Sequence, residues 1–568
     1  MRAGIFNLAA VLLLVLSVGV VALPQPVVEA GDPPCTCGDI CVNQTGWWRN
    51  GGAFNSSATP IQDAVNNATG GDVICVKDGN YNENVDVSTA NLTIQSENGT
   101  TNCVINASNS NDHVFHVAAD RVNITGLTVE NATGDDKAGI YLDAVDYCTI
   151  SGNNVTNNNW GIYLVDSGNN TLRDNTAWNN SYGIILDAVS ASSSNNKLRG
   201  NTARDNANTG FIIADSSHCN LTGNTARDNV LFGIYLVRSS NNTLTGNNAG
   251  SNGGLGIYLD SSSSNMLINN TANSNSFDGI YLWASSHNDL VNNTANWNNW
   301  NGTSLLSSSN NNLTDNNAIS NSNIGIRLKG SNSNTLTANT AANNTYGIYL
   351  ASSSGNTIYN NYFNNTNNAW DNANNGWNIT RTAGTNIIGG PYLGGNYWSD
   401  YAGSDTTHDG LGDTLVPYNS TGNITHGGDY LPLVPVIYAD IVGTVYEANT
   451  SLLGGADVVL KLGGSEVANT TSNATGYYNF TVNQTGNYTV NVTKDGFTSS
   501  ERWANVTTLG WTSTVDFKGM DAPYRTAPDG LYVIKCSNLW LWGGGYPQGF
   551  ALTAERVSDV LYAWTHPS

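Results

Sequence analysis

The sequence predicts an all-β chain in which a parallel β-helix solenoid is followed by a small antiparallel β-sandwich. Three observations carry this. The first is a phrase with a fixed beat. Gly-Ile-Tyr-Leu begins at Gly139 and Gly161, becomes Gly-Ile-Ile-Leu at Gly183 and Gly-Phe-Ile-Ile at Gly210, and recurs at Gly233, Gly256 and Gly279. It continues as Gly-Thr-Ser-Leu at Gly302, Gly-Ile-Arg-Leu at Gly325 and Gly-Ile-Tyr-Leu at Gly347, in steps of 22 or 23 residues with one of 27. The second is a set of columns on the same beat: Leu221, Leu244, Leu267 and Leu290, each followed three residues later by asparagine (Asn224, Asn247, Asn270, Asn293). The third is a change at about residue 437 to longer alternations between Gly turns, such as 441–445, 456–460 and 486–492.

A period of 20 to 50 residues marks a repeat architecture. Each unit holds three short apolar alternations separated by Asn, Ser, Gly and Asp, with no 3.6-residue pattern, so short strands and tight corners are expected. Equivalent residues of successive coils then lie one strand spacing apart, roughly 4.8 Å, close enough for stacked Asn amides to hydrogen-bond up the column. Two further Asn columns run through Asn242, Asn265 and Asn288 and through Asn252, Asn275 and Asn298. Corner geometry and ladder bonding explain them without a ligand, since Asn tolerates left-handed backbone.

These repeats, over about residues 59–436, resemble the right-handed parallel β-helix repeats of the NosD-like family, related in fold to pectate lyases. The resemblance implies the right-handed coil, which spacing alone does not. The family name also implies copper handling. Copper(I) prefers Met, Cys and His, whereas this chain has three Met and seven scattered His, so that role is not carried over.

In chain order, residues 1–30 read as an export signal, with Arg2 before an apolar run and small residues at the cut. A retained anchor is the other reading, and only then would the chain be membrane-attached. Residues 31–58 hold Cys35, Cys37 and Cys41, for which bridges to Cys75 and Cys103 are expected in an oxidising compartment. Cys148 and Cys219 occupy an Asn column three coils apart, too far to pair, and are expected as thiols. From Thr59 a Pro-started amphipathic helix with Ile61, Ala64, Val65 and Ala68 on one face suits a cap over the first coil. Strands are expected at 73–77, 92–95, 114–117 and 122–129.

Alternation within the repeated phrase puts Tyr outside. The resulting row, Tyr141, Tyr163, Tyr235, Tyr258, Tyr281 and Tyr349, is the candidate ligand-binding surface for sugar rings, or else a structural or self-association surface. Trp160, Trp178, Trp283, Trp297 and Trp300 add aromatic area without a column. Asp143, Asp166 and Asp187 are weak catalytic candidates, since carboxylates roughly 5 Å apart suit retaining glycoside chemistry. Asp166 is one position out of step and no Arg, Lys or His completes the set. Past Phe363 the repeat fades into a Gly- and aromatic-rich run that resembles the closing segment of β-helix surface proteins of methanogenic archaea. There Asp405, Asp409 and Asp413 have the composition of a Ca²⁺ loop, without the full Asp-x-Asp-x-Asp-Gly pattern, or of a plain acidic turn.

Residues 437–518 resemble carboxypeptidase regulatory-like or Cna-B-type modules, which act as spacers on surface proteins. The tail 519–568 has no assigned fold. With a formal charge of −22, the chain repels polyanions, so nucleic acid is excluded as a partner and polysaccharide or envelope components are expected. About thirty Asn-x-Ser/Thr sites are glycan acceptors in an exported chain. Three functions follow: a surface-exposed structural or adhesive rod, a carbohydrate-binding module, and a polysaccharide lyase or glycoside hydrolase.

Overall fold

Why the coils close is visible in their corners. The computed structural model describes residues 36–520 apart from 191, 192, 437, 449, 498 and 508, so the expected signal, Cys35, Cys536 and the tail from 521 lie outside the described residues. The described chain forms two compact units. The first comprises 36–382, 393–402 and 415–432; the second comprises 383–392, 403–414 and 433–520.

The first unit is a stack of coils with three strand-bearing faces. One face is a sheet of sixteen strands, another a sheet of thirteen that carries the repeated Gly-Ile-Tyr-Leu strands. The third is a seven-stranded and a four-stranded sheet, joined across Asn248, Thr271 and Thr294 by single bridges. Pairing is parallel and in strict register: Leu221, Leu244 and Leu267 stand over one another, as do Tyr235, Tyr258 and Tyr281. The interior is a column of Ile, Leu and Ala with no solvent exposure at most positions. The repeated Gly is required by packing. A Cβ at Gly233 would stand 2.6 Å from the Gly256 carbonyl oxygen and 3.0 Å from the Ala249 Cβ.

At each corner a left-handed residue immediately precedes the ladder asparagine. Gly223, Gly246, Asn269 and Asn292, with φ of 62°, 63°, 55° and 53°, precede Asn224, Asn247, Asn270 and Asn293. The division of labour corrects the expectation that one asparagine serves both purposes. The corner falls on the preceding residue, where Gly, Asn or Asp is tolerated, and the ladder asparagine is freed for bonding. Asn247 is typical: its backbone N–H and its Nδ2 both donate to Asn270 Oδ1 at 2.9 Å, and Nδ2 also donates back to the Leu221 carbonyl at 2.9 Å. A serine file works in the same way, Ser239 N donating to Ser262 Oγ and Ser262 N to Ser285 Oγ.

In the three buried asparagine files the Asn-to-Asn bonds run toward the C-terminal coils, so the last amide of each file needs an acceptor beyond it. Each of the three asparagine files ends on an aspartate. Asn361 donates to Asn396, which donates from its backbone N–H to Asp429 Oδ2 at 2.7 Å. Asn356 donates to Asn375, whose Nδ2 bonds both Asp371 oxygens at 3.0 Å. Asn344 donates to Asn365, then Asn368, whose Nδ2 reaches Asp400 at 2.6 Å.

The stack begins earlier than residue 59. Ile40–Asn43 pairs in parallel with Val73–Val76, and the hairpin strands Gly46–Arg49 and Asn55–Ser56 extend that sheet antiparallel. The helix Pro60–Asn66 buries Ile61, Ala64 and Val65 as expected. Thr59 does not cap it. The buried Glu83 carboxylate takes the N–H groups of Ile61 and Gln62 at 3.1 and 2.9 Å. The single strand expected over 122–129 is two, Asn123–Thr125 and Thr128–Glu130, because Gly126 (φ 73°) makes a corner between them. Cys37 bridges Cys75, and Cys41 is also disulfide-bonded. Cys103 is a buried thiol and takes no bridge, and Cys148 and Cys219 are buried thiols in their Asn column.

In the second unit, two four-stranded sheets enclose Ile441, Val458, Leu460, Phe480, Val490 and Phe517. Most pairs are antiparallel. Thr512–Thr514 and Phe517–Met520 instead run parallel to Ala439–Glu447, a departure from the all-antiparallel expectation.

Candidate aromatic binding face

In the thirteen-stranded sheet the residue between the buried Ile and Leu columns forms a register row of its own. Register places Asp86, His116, Tyr141, Tyr163, Ile185, Ile212, Tyr235, Tyr258 and Tyr281 in one continuous row. Ser304 and Arg327 interrupt it before Tyr349 and Trp370. The rings contact their neighbours: Tyr141 stacks on Tyr163 at 5.4 Å, Tyr235 on Tyr258 at 4.8 Å and Tyr349 on Trp370 at 4.3 Å, while Tyr281 meets Tyr258 edge-on at 5.4 Å. All six predicted tyrosines thus lie on one face. They are not equally open. Tyr163 is only 9% exposed, covered by Trp160, whose ring is edge-on to it at 4.5 Å.

Around Tyr163 the face dips into an open groove of about 460 Å³, lined by Trp160, Tyr163, Tyr182, Ile185, Ile212 and Ala214, with Asp187, Asp135 and Asp136 at its polar edges. Trp160 and Tyr182 stand at the start of the strands Trp160–Val165 and Tyr182–Asp187, directly paired across the sheet. Tyr182 is held by an Asn208 amide that donates to its hydroxyl at 2.8 Å. Asp187 is half-buried and receives a long hydrogen bond from the Tyr163 hydroxyl at 3.4 Å. Burial pushes its carboxyl pKa up, and repulsion from Asp215 adds to this. Sequence reasoning named Trp160 without a place and missed Tyr182. Its position directly before Gly183, matching Trp160 before Gly161, was the available signal.

The three catalytic candidates are not brought together. Asp143 and Asp187 share a row with Val165 between them, two strand spacings or roughly 9.6 Å apart. Asp166 lies at a corner, where its carboxylate accepts from the Val189 and Ser190 N–H groups and the Ser190 hydroxyl, and so holds the inserted loop of the 27-residue coil. The expectation that no histidine stands near is also corrected. His116 sits below Tyr141, with Nε2 3.4 Å from Asp143 and Nδ1 3.3 Å from Asp86. His113 stacks on Tyr141 at 4.2 Å, and burial, reinforced by Lys137 and His116, pulls its imidazole pKa down to about 4.

Local hydrogen bonds hold the acidic turn, and among the described residues no group of three His, Cys, Asp or Glu is placed to hold a metal ion. Asp413 Oδ2 accepts from the N–H groups of Thr406 and Thr407 and the Thr406 hydroxyl, Asp405 from the N–H groups of Asp409 and Gly410, and Asp409 from Leu411 N–H. Each of the three carboxylates thus ties down a stretch of its own loop. Nor do the residues fit copper. The three thiols are buried and apart, the two neighbouring histidines are engaged with Tyr141 and two aspartates, and among the described residues no group of three His, Cys, Asp or Glu is placed to hold a metal ion.

Known proteins resemble different parts of this chain. Residues 440–518 match the carboxypeptidase regulatory-like domain. A cell surface glycoprotein of Methanothermus fervidus is 36% identical over 110 residues, which is 18% of this chain and 17% of that protein. Among solved structures, the A-module of the Azotobacter vinelandii mannuronan C-5 epimerase AlgE6 aligns with 56% of this chain and 89% of its own at 15% identity and a TM-score of 0.42. The catalytic unit of a GH87 α-1,3-glucanase from Streptomyces thermodiastaticus aligns with 59% and 67% at 13% identity and a TM-score of 0.36. The profile described as periplasmic copper-binding protein (NosD) matches residues 65–275 and 246–403, together more than half of the 568 residues, so this chain belongs to the NosD family.

Proposed function

We propose that this chain is an exported, non-catalytic cell-surface protein whose β-helix is a stiff adhesive scaffold and whose tyrosine row makes stacking contacts with the rings of a polysaccharide. The observation that carries the reading is the in-register outward row on one face of the thirteen-stranded sheet, in which Tyr235, Tyr258 and Tyr281 are an unbroken run of rings. Two comparisons support the location. The Methanothermus fervidus relative is described as a cell surface glycoprotein, and the family description is periplasmic. The acceptor asparagines Asn91, Asn220 and Asn312 are exposed, as glycosylation requires. The copper role in the family description is not proposed, because the donors for it do not converge.

Aromatic faces bind sugars by covering the apolar C–H face of the ring, at about 1 kcal/mol per good contact beyond area burial. Tyr235 and Tyr258 are a parallel pair, both partly exposed, with the Phe232 ring 5.4 Å from each. A glycan array with the purified chain is expected to give polysaccharide binding that drops at least tenfold in the Tyr235→Ala/Tyr258→Ala double variant at unchanged melting temperature. Undiminished binding in that variant would overturn the role of the row.

One observation favours a second, enzymatic reading. His116 between Asp143 and Asp86 is a base held by carboxylates. Polysaccharide turnover abolished by His116→Ala would establish it, and absence of turnover across neutral and acidic polysaccharides would remove it.

A further inference from the structure

We infer that the groove beside Tyr163 is a distinct subsite for an amino-sugar segment of a polysaccharide, taken up with its amino groups protonated. The inference rests on the proposed sugar-binding face and names the ligand class for one part of it.

The groove differs from the rest of the tyrosine row in three respects. It is concave, and its volume of about 460 Å³ falls in the range of small-molecule sites, roughly 300–1,000 Å³. Ile185 and Ile212, two adjacent positions where the outward row carries no ring, line it, so smaller side chains lie here between the ring-bearing coils of Tyr163 and Tyr235. Trp160 and Tyr182 flank it at the leading edge of adjacent strands, offering two ring faces to a sugar.

Its charge is one-sided. Asp187, Asp135 and Asp136 line it, and among the described residues no Lys or Arg does. Arg238, two coils away, is already engaged by Asp215 in a two-point ion pair at 2.8 and 2.6 Å. Asp187 is the informative member. It is partly desolvated beside Tyr163 at the strand end, where its hydrogen-bond donors, the Tyr163 hydroxyl and the Ala188 N–H, carry no charge. A carboxylate so placed gains from an incoming cation. An ammonium group on a sugar ring seated over Ile185 would meet Asp187 directly, with Asp135 and Asp136 at the rim to draw it in. A uronate or sulfated chain would meet the same carboxylates as repulsion.

The test is isothermal titration of the full chain with three oligosaccharides of equal length: a β-1,4-glucosamine oligomer, its fully N-acetylated counterpart and an oligogalacturonate, at pH 6 and low ionic strength. The expected result is that the glucosamine oligomer binds at least tenfold more tightly than the N-acetylated one, that Asp187→Asn removes most of this preference, and that Trp160→Ala weakens both. Tighter binding of the oligogalacturonate, equal binding of the two glucosamine-derived oligomers, or a preference untouched by Asp187→Asn would each overturn the inference. The failure of the broader reading looks different. If Tyr235→Ala/Tyr258→Ala abolishes binding of all oligomers while Trp160→Ala does nothing, the face stands and the subsite falls. If no oligomer and no array glycan binds, both fall. Melting temperatures within 2 °C of the parent are the control that the variants fold.

Discussion

Asp429 shows how one residue can set a pH response. It is fully buried, accepts from Asn396 N–H, Trp398 Nε1 and Leu431 N–H, and burial pushes its pKa up to about 7. In the unfolded chain it titrates near 3.8. The folded protein therefore holds the proton more tightly, and Asp429 contributes stability that is complete below about pH 4 and is lost as pH rises through about 7. The contribution is a few kcal/mol at most. The difference in melting temperature between the parent and Asp429→Asn should therefore shift steadily between pH 4 and pH 7, the parent losing ground as pH rises. A constant difference would mean that Asp429 stays ionised in the fold. Asp72 works in the opposite sense: held down to about 2 chiefly by Arg49, its stabilisation is lost only as pH falls through that value.

At the scale of the strand and corner, the unit of stability is the ladder step. Each asparagine side chain bonds the coil before it and the coil after it, and replacing one orphans several groups of the coil before it. Asn247→Ala would leave the Asn224 N–H and amide without Asn247 Oδ1 and the Leu221 carbonyl without its donor. Buried groups without partners cost about 1–3 kcal/mol each, so a loss of about 3 kcal/mol is expected by chemical denaturation. The converse test uses a natural gap. Cys219 replaces a ladder asparagine and offers a weakly accepting thiol, while its own N–H still donates to Asn242 at 2.8 Å. Cys219→Asn should raise stability by about 1 kcal/mol, read as a higher denaturation midpoint. These steps were legible in the sequence because identical residues meet identical neighbours, so the chemistry of one coil is printed ten times. What was not legible depends on residues outside the beat. Phe115–Val117 carries His116 into the outward row without the leading glycine that marks the other strands. The groove needed Ile185 and Ile212, which read as interruptions of a tyrosine column, and Asp166 needed the inserted loop it holds.

For the whole molecule, the relevant fact is two separate cores, one running along the coils and one between the two sheets that include Ala439–Glu447 and Asp457–Leu462. A stack of coils is stabilised chiefly by nearest neighbours, whereas the sheet pair depends on long-range pairing across its own interior. Calorimetry of the full chain should therefore resolve two transitions, and Phe480→Ala, which opens a cavity among Ile441, Tyr478 and Phe517, should lower one of them by about 3–5 kcal/mol and leave the other in place. A single transition moved as a whole would contradict this. The first core was visible from periodicity, and the two ends of its stack were not. Ile40–Asn43 enters the stack from within a cysteine-rich segment, and Asp429 lies 33 residues beyond the amide it receives.

The aspartates that close the three asparagine files have a consequence for how such a protein can change length. An amide both takes and hands on a hydrogen bond, whereas a carboxylate only takes, so direction and stopping point are built into the last coils and nowhere else. An extra 23-residue coil slipped in at Asn247 would find a donor below and a receiver above already waiting, and would leave both ends undisturbed. The same insertion just beyond Asn396 would part Asn396 from Asp429 and Asn368 from Asp400, and would strand those two donors unless its own acids came with it. Lengthening by duplication is thus cheap in the middle and forbidden at the terminus, and the row of outward rings can be extended one coil at a time.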